Sequence, residues 1–426
     1  MTSPTAGEGM RPTTQPRRRA RTRWRAMTLF AAAGLMLAAG CSSSASSSGT
    51  NAAGSSGSPS TGSTGSASAS TDSVETAARA ALQYWIKGSQ TAPPSTGPKA
   101  QTGKSIWVLS CGQAAAACAY WSDSVVAAAK AIGWKVTLYD EKLVPTNGNT
   151  GLEDAVAAHA SGAVVLGNDC PQNEQGLKAA QAAGMPVLGI DENDCNDSVF
   201  GGSGPSLLTQ LKDTAAYPSV DSFTKAAGAL QADYLLANLG SSANVIELKS
   251  TDIISKSLVN QGFEAEYHKL CPACKLDQVP YTLNDMIGGQ LKTDVQDALQ
   301  SDPGANGMEV TADSDIALVV GPAVDSSSSA GKILVVGNEG LAANVQEALA
   351  GHWETGGIGE PFGWEGWAAV DALNRTFAGS PQVDEGIGLQ LWSVKPAQLN
   401  LPAAGQNYTP AGIDYQSDYE KVWGVG

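Results

Sequence analysis

Histidine is almost missing: His159, His268 and His352 are the three in 426 residues, and they stand far apart. Dispersal of that kind leaves little material for a histidine general base or a His-rich metal cluster. No His-Glu-x-x-His helix, Gly-x-Ser-x-Gly elbow or Walker loop offers another catalytic centre. Basic residues are also outnumbered, 26 Lys and Arg against 41 Asp and Glu, for a net charge of −15. Such a surface repels phosphate, so nucleic acid and anionic lipid headgroups are poor partners, and no basic helix-turn-helix precedes Lys104. Long apolar runs are lacking too. The stretch Met27 to Gly40 has 14 residues, short of the roughly 20 that a bilayer-spanning helix needs.

What is present begins with an export signal over residues 1–40: Arg11, Arg17, Arg18, Arg19, Arg21, Arg23 and Arg25, then the apolar run, then small residues at Ala38-Ala39-Gly40-Cys41. This ending resembles the lipobox of bacterial lipoproteins, although Ala38 stands where a larger aliphatic residue is usual. The resemblance implies that Cys41 is lipidated and holds the chain on the outer face of the cytoplasmic membrane. A plain cleaved signal with an incidental cysteine is the alternative. Seven Arg and one Glu precede Cys41, so the exported chain keeps 19 basic against 40 acidic residues, or −21. Residues 41–75 are nearly all Ser, Gly, Ala and Thr, which cannot bury enough apolar surface to offset ordering entropy. They are expected to form a disordered tether, followed by an N-terminal helix and lead-in over 76–102.

Six cysteines remain: Cys111, Cys118, Cys170, Cys195, Cys271 and Cys274. An even number in an exported chain favours disulfides, and the spacing suggests three local pairs, 111 with 118, 170 with 195 and 271 with 274, among the 15 or so pairings that six cysteines allow. Zinc at Cys271-Pro-Ala-Cys274 is the sharper alternative, but no second Cys or His pair sits at finger spacing.

From Lys104 onward, short aliphatic runs alternate with helix-period segments, which predicts parallel sheets. Strands are expected at 105–109, 135–139, 163–166 and 186–190, with helices near 120–132, 152–160 and 174–183 between them. After a Gly, Ser and Pro-rich interval from Gly201 to about Ser219 the rhythm restarts. Helices near 223–239, 255–268, 287–299, 316–324, 341–349 and 364–377 then alternate with strands at 244–248, 275–280, 307–310, 333–336 and 389–394. Roughly 350 residues exceed one core, so two lobes are expected. Tyr415, Tyr419 and Trp423 recur at helical spacing and read as a core stripe.

In open parallel sheets, ligands gather beyond the carboxyl ends of the strands. Those ends are polar here: Ser110-Cys111-Gly112-Gln113, Asn168-Asp169, Asp191-Glu192, Asp313, Asn338-Glu339 and Glu360. Trp364 is the preferred aromatic platform, with Trp121 and Trp107 behind it.

The phrases AAGMPVLGIDEND (182–194), ADSDIALVVGPAV (312–324), ILVVGNEG (333–340) and GGIGEPFGWEGWAAVDALNRTFAG (356–379) make the chain resemble, across about Gly103 to Val394, the type I periplasmic binding proteins of the ribose and galactose branch. The resemblance implies two Rossmann-like α/β lobes with parallel sheets, joined by a three-crossover hinge near Gly202, Pro361 and Leu389. The lobes would comprise 103–203 plus 362–388 and 204–361 plus 389–426. It further implies a monomeric, cofactor-free, non-enzymatic solute-binding protein that closes on a sugar-like ligand and serves an ABC permease. Cys111, Gln113, Asn168, Asp169, Asp191, Glu192, Asp313, Glu339, Glu360 and Trp364 would be the ligand-binding residues. The chain departs from the family at three points. Ala117 and Cys118 replace an aromatic pair, Glu192 replaces an Arg, and Ser257 to Gln261 lack the Arg expected before Gly262-Phe263.

A cleft rich in carboxylates and poor in cations suits neutral polyols or cationic amino compounds and rejects phosphorylated or carboxylate ligands. Paired carboxylates also serve glycosidases, so a glycoside-processing enzyme is one competing expectation. A sensor lipoprotein that presents its closed form to a membrane receptor is the other.

Overall fold

The computed structural model describes residues 72–426; the export signal, Cys41 and residues 41–71 of the expected tether lie outside the described residues. Helix α1 (Ser73–Lys87) starts where the Asp72 carboxylate accepts from the N–H groups of Val74 and Glu75, satisfying donors that a first turn leaves free. Residues 73–75 are therefore helix rather than tether.

The chain then alternates through β1 (Ser105–Ser110), α2 (Ala116–Ala131), β2 (Lys135–Asp140), α3 (Asn147–Ala157), β3 (Gly162–Leu166), α4 (Cys170–Ala182), β4 (Val187–Ile190) and β5 (Thr209–Gln210). These five strands form one parallel sheet in the order β2-β1-β3-β4-β5. β3 and β4 are buried along their whole length. Helices cover both faces of a parallel sheet, so such strands read as unbroken aliphatic runs.

The second lobe opens with α5 (Val220–Leu239), whose N-terminus is closed by a Ser219–Ser222 capping box. It continues through β6 (Asn244–Ser250), α6 (Ile254–Leu270), β7 (Lys275–Tyr281), α7 (Leu283–Gly288), α8 (Gln290–Ser301), β8 (Gly307–Glu309) and α9 (Asp313–Asp315). A π-helical turn (Ile316–Val320), α10 (Gly321–Asp325), β9 (Leu334–Gly337), α11 (Ala342–Ala350) and β10 (Gly356–Gly359) follow. Helix α12 (Phe362–Ala378) returns to the first lobe and packs on α2 and β4, before β11 (Gln390–Ser393) and α13 (Tyr415–Trp423). The second sheet runs β11-β10-β9-β8-β6-β7 and is parallel except for the β10–β11 pair. Two α/β lobes joined by three inter-sheet crossovers, at 211–219, 360–361 and 379–389, are thus the architecture.

Several expected boundaries move. β5 pairs with β4, so the first lobe extends to Gln210 instead of ending at 203, and the first crossover lies beyond Gly202. The expected helix over 287–299 breaks into α7 and α8 where Gly289 takes φ 84°, a conformation that ends a helix at little cost only for glycine. β10, whose sequence is Gly-Gly-Ile-Gly, was not expected as a strand. Its glycines make room for aromatics: a Cβ on Gly359 would meet the Tyr408 ring at 2.4 Å.

The C-terminus does not stay with the second lobe, as 389–426 was expected to do. α13 crosses back to α12, where Tyr415 stacks on Trp364 and Trp423 on Trp367, both pairs 4° from parallel. The lead-in makes the opposite journey. α1 packs on α5 of the second lobe; the next residues run beside the hinge, with Ser89 N–H donating to Leu389 O and Thr91 N–H to Gly386 O. Arg375 then donates to Thr96 O before the chain reaches β1. Both termini therefore strap the hinge.

All three local cysteine pairs, Cys111–Cys118, Cys170–Cys195 and Cys271–Cys274, are disulfides, which removes the zinc reading of the last pair. Among the described residues, no helix is long and apolar enough to cross a membrane.

Candidate functional site

The carboxyl ends of both sheets face a cleft between the lobes. Its outer chamber measures about 940 Å³ and opens over a smaller inner chamber of about 110 Å³. Trp121 and Phe362 stand where the two meet, their rings stacked 4.6 Å apart and 16° from parallel. Trp121 comes from α2 of the first lobe, and Phe362 is the first residue of α12, immediately after a crossover.

Of the sequence candidates, Asp191, Glu339 and Glu360 line the inner chamber, while Cys111, Asn168 and Asp169 line the outer one. Asp191 follows β4 and Glu339 follows β9, related positions in the two lobes, and both are held at positive φ, 52° and 85°. Non-glycine residues rarely adopt that conformation, and at strand ends it costs backbone energy that surrounding structure must supply. It turns each carboxyl into the cleft.

Four candidates are elsewhere. Gln113 lies on the first lobe's own framework, its amide donating to Ser110 and Ser122 Oγ, each at 2.8 Å. Glu192 is fully buried, where it accepts from Asn168 N–H at the end of β3. Asp313 is fully buried as well, accepting from Leu341 N–H at 2.7 Å and so anchoring the loop ahead of α11. Trp364 is core: it is 0% exposed, stacks on Tyr415, and its Nε1–H donates to Tyr419 Oη. Trp121, the runner-up, holds the cleft position instead.

Glu365 was missed. It sits inside α12, buried, and one of its oxygens lies with those of Asp191 and Glu360 in a group all within 4.8 Å of one another. The Trp121 indole N–H faces Glu365 and lowers its carboxyl against burial, while Asn338 Oδ1 on the inner wall has no hydrogen-bond partner. A signal existed in the Trp-Glu-Gly-Trp phrase, where a lone acid interrupts an apolar helix. Lys256 was also overlooked, one residue before the segment searched for the missing Arg. Among the described residues it is the one cation lining the inner chamber, and Asp315 takes it in an ion pair of 2.6 Å that Tyr281 Oη–H also joins.

Burial dominates the electrostatics. It drives the carboxyls of Glu360, Glu365 and Glu339 well above their ordinary range, and neighbouring acids push the same way: Asp191 on Glu360 and Glu365, Asp313 on Glu339. Asp191 is raised by burial too, offset by a hydrogen bond with Glu360 that raises Glu360 in turn. Behind the cleft rim, Asn168 donates to Glu141, whose carboxyl burial lifts to about 8. Burial raises Asp169 to about 6 against the hydrogen bonds from Asn193. A concave, polar-floored, aromatic-flanked chamber of this size can enclose a small hydroxylated molecule and supply acceptors to its O–H or N–H groups.

Residues 112–381 match the family model described as a periplasmic binding protein domain. Among solved structures, an ABC transporter solute-binding protein from Mycobacterium smegmatis with bound glycerol is similar at 21% identity, over 67% of this chain and 94% of that one, with a TM-score of 0.54. Another, from Agrobacterium vitis with bound α-D-tagatopyranose, is 18% identical over 69% and 97% of the two chains, TM-score 0.58. A third, from Actinobacillus succinogenes with bound D-allose, is 15% identical over 68% and 98%, TM-score 0.57. Likeness at this identity speaks to the fold. Among curated proteins, none matches this chain.

Proposed function

This chain belongs to the periplasmic binding protein family, and we propose that it captures a small sugar-like solute outside the cytoplasmic membrane by closure of its two lobes and passes it to an ABC permease. The observation that carries the reading is the inner chamber. Its wall takes Asp191 from the first lobe, Glu339 from the second and Glu360 from the crossover after β10, so an occupant touching Asp191 and Glu339 gains contacts that exist only when the lobes are together. Differential contact of that kind shifts an open–closed equilibrium. The sugars and polyols in the similar structures support the same ligand class.

In this reading Asp191, Glu339 and Glu360 receive ligand protons, Trp121 and Phe362 supply the apolar face, and Cys111, Asn168 and Asp169 border the approach. Gln113, Glu192, Asp313 and Trp364 act as supports. Lipidation of Cys41 would hold the protein at the membrane, with the Ser/Gly-rich tether as leash. The family is one of binding proteins, and binding followed by release needs no bond-making step.

Mass spectrometry of solutes that co-purify with the protein, followed by calorimetric titration of the identified compound and X-ray scattering with and without it, tests the proposal. A bound sugar or polyol and a fall in radius of gyration are expected. A chemically altered product, or a ligand that leaves the scattering unchanged, would sink it.

A further inference from the structure

The cleft carries more acid than a neutral ligand requires. Asp191, Glu339 and Glu360 line the inner chamber, and Glu365, buried behind its wall, places an oxygen within 4.8 Å of oxygens of Asp191 and Glu360. Lys256 cannot balance them, since Asp315 already holds it at 2.6 Å. A further observation points to an absent donor. Asn338 Oδ1, on a side chain only 7% exposed, stands unpartnered in the chamber wall. Buried acceptors are ordinarily satisfied.

Resting on the capture reading above, we propose that the inner chamber takes a hydroxylated organic cation, a sugar or polyol bearing an ammonium group, with the ammonium held among Asp191, Glu360 and Glu365. An ammonium offers three donors in tetrahedral directions, and acceptors about 2.8 Å from one nitrogen lie about 4.6 Å apart. A calcium ion asks for six or more oxygens close around it. The stacked Trp121–Phe362 pair offers carbon surface instead, which suits the C–H face and charge of an organic cation. Asn338 is left to pair with a hydroxyl.

The full chain, dialysed free of small molecules, would be titrated with glucosamine and galactosamine, with glucose and galactose, with the N-acetyl derivatives, and with calcium chloride. Calorimetry and thermal unfolding would be the readouts, on wild type and on Glu365→Gln and Glu360→Gln. The amino sugars are expected to bind at least about tenfold more tightly than their hydroxyl and N-acetyl counterparts. That preference should shrink toward unity in Glu365→Gln, while the variant unfolds no earlier than wild type. Should one variant fail to fold, the other carries the comparison. Equal or tighter binding of a neutral sugar overturns the inference and leaves the capture function standing. So does a co-purified solute without a basic nitrogen. Absence of any amine-dependent effect up to about 10 mM, or protection by calcium that depends on Glu365 while the amines give none, also overturns it.

Discussion

Asp191 ends a strand of the first lobe and Glu360 opens the crossover after β10, yet their carboxyls meet on the floor of the cleft within 4.8 Å. Two ionised carboxylates that close repel; a proton on either of them, or a ligand's donor, turns the same contact into a link. The groups facing this pair are Glu365 from α12, Glu339 from the second lobe, Glu192 from the first and Asp213 from the 211–219 crossover, with Lys256 engaged by Asp315.

Stability of the ligand-free protein should therefore fall as pH rises. Glu141, at about 8, and Asp169, at about 6, hold protons in the folded state that the unfolded chain has already lost near pH 4. The native state then binds more protons than the unfolded one throughout that window, so unfolding free energy decreases with pH. Asp191, Glu360 and Glu365 are raised as well and act in the same direction. Thermal unfolding is expected several degrees lower at about pH 8 than at about pH 5; a flat or rising profile contradicts the assignment.

A second acidic pair sits in the second sheet, where Glu247 and Glu309 lie directly across from each other on β6 and β8, both fully buried. Asn260 and Gln278 satisfy one oxygen of each, and the other oxygen of each is unpartnered. Glu309→Gln keeps the acceptor for Asn260 and removes a charge that burial disfavours. A gain of about 1–2 kcal/mol near pH 8 and no gain near pH 5 is expected from chemical denaturation. Destabilisation at pH 8 would mean that the pair is matched by a positive charge.

The strand–helix alternation was legible because parallel strands and their covering helices carry different apolar periods, and the disulfides because each pair is close in sequence. Other features required the third dimension. Asp191 and Glu192 look equivalent as text, and only the positive φ at Asp191 separates the one that lines the cleft from the one buried against Asn168. Trp364 outranked Trp121 because it neighbours the hinge phrase, yet α12 turns Trp364 toward α13, a helix that rejoins the first lobe from the far end of the chain. β10 was hidden because glycine has little strand preference, and its place is set by Tyr408 and Trp392 against it.

Close helix packing yields a prediction of its own. A Cβ on Gly228 of α5 would lie 1.9 Å from Val259 O, and one on Gly262 of α6 would lie 1.9 Å from Lys225 O. The obstacle in each case is backbone, which cannot swing aside as a side chain could. Gly262→Ala should cost about 2 kcal/mol or more despite alanine's better helix propensity, because the two helices must separate. An unchanged denaturation midpoint would show that they slide apart freely.

Trp121 and Trp364 can be told apart by replacing each with Phe. At position 121, Phe keeps the stack on Phe362 but removes part of the ring that lines both chambers and the indole N–H that faces Glu365. Ligand affinity should drop several-fold with little change in unfolding temperature, since what is lost is contact with the occupant. At position 364, Phe forfeits the hydrogen bond to Tyr419 and leaves a void beside Tyr415, at about 1–3 kcal/mol of stability. Affinity there should hold, because no atom of Trp364 faces the cleft. Titration calorimetry and thermal unfolding on both variants separate the two roles, and a reversed pattern would return Trp364 to the site and move Trp121 into the core.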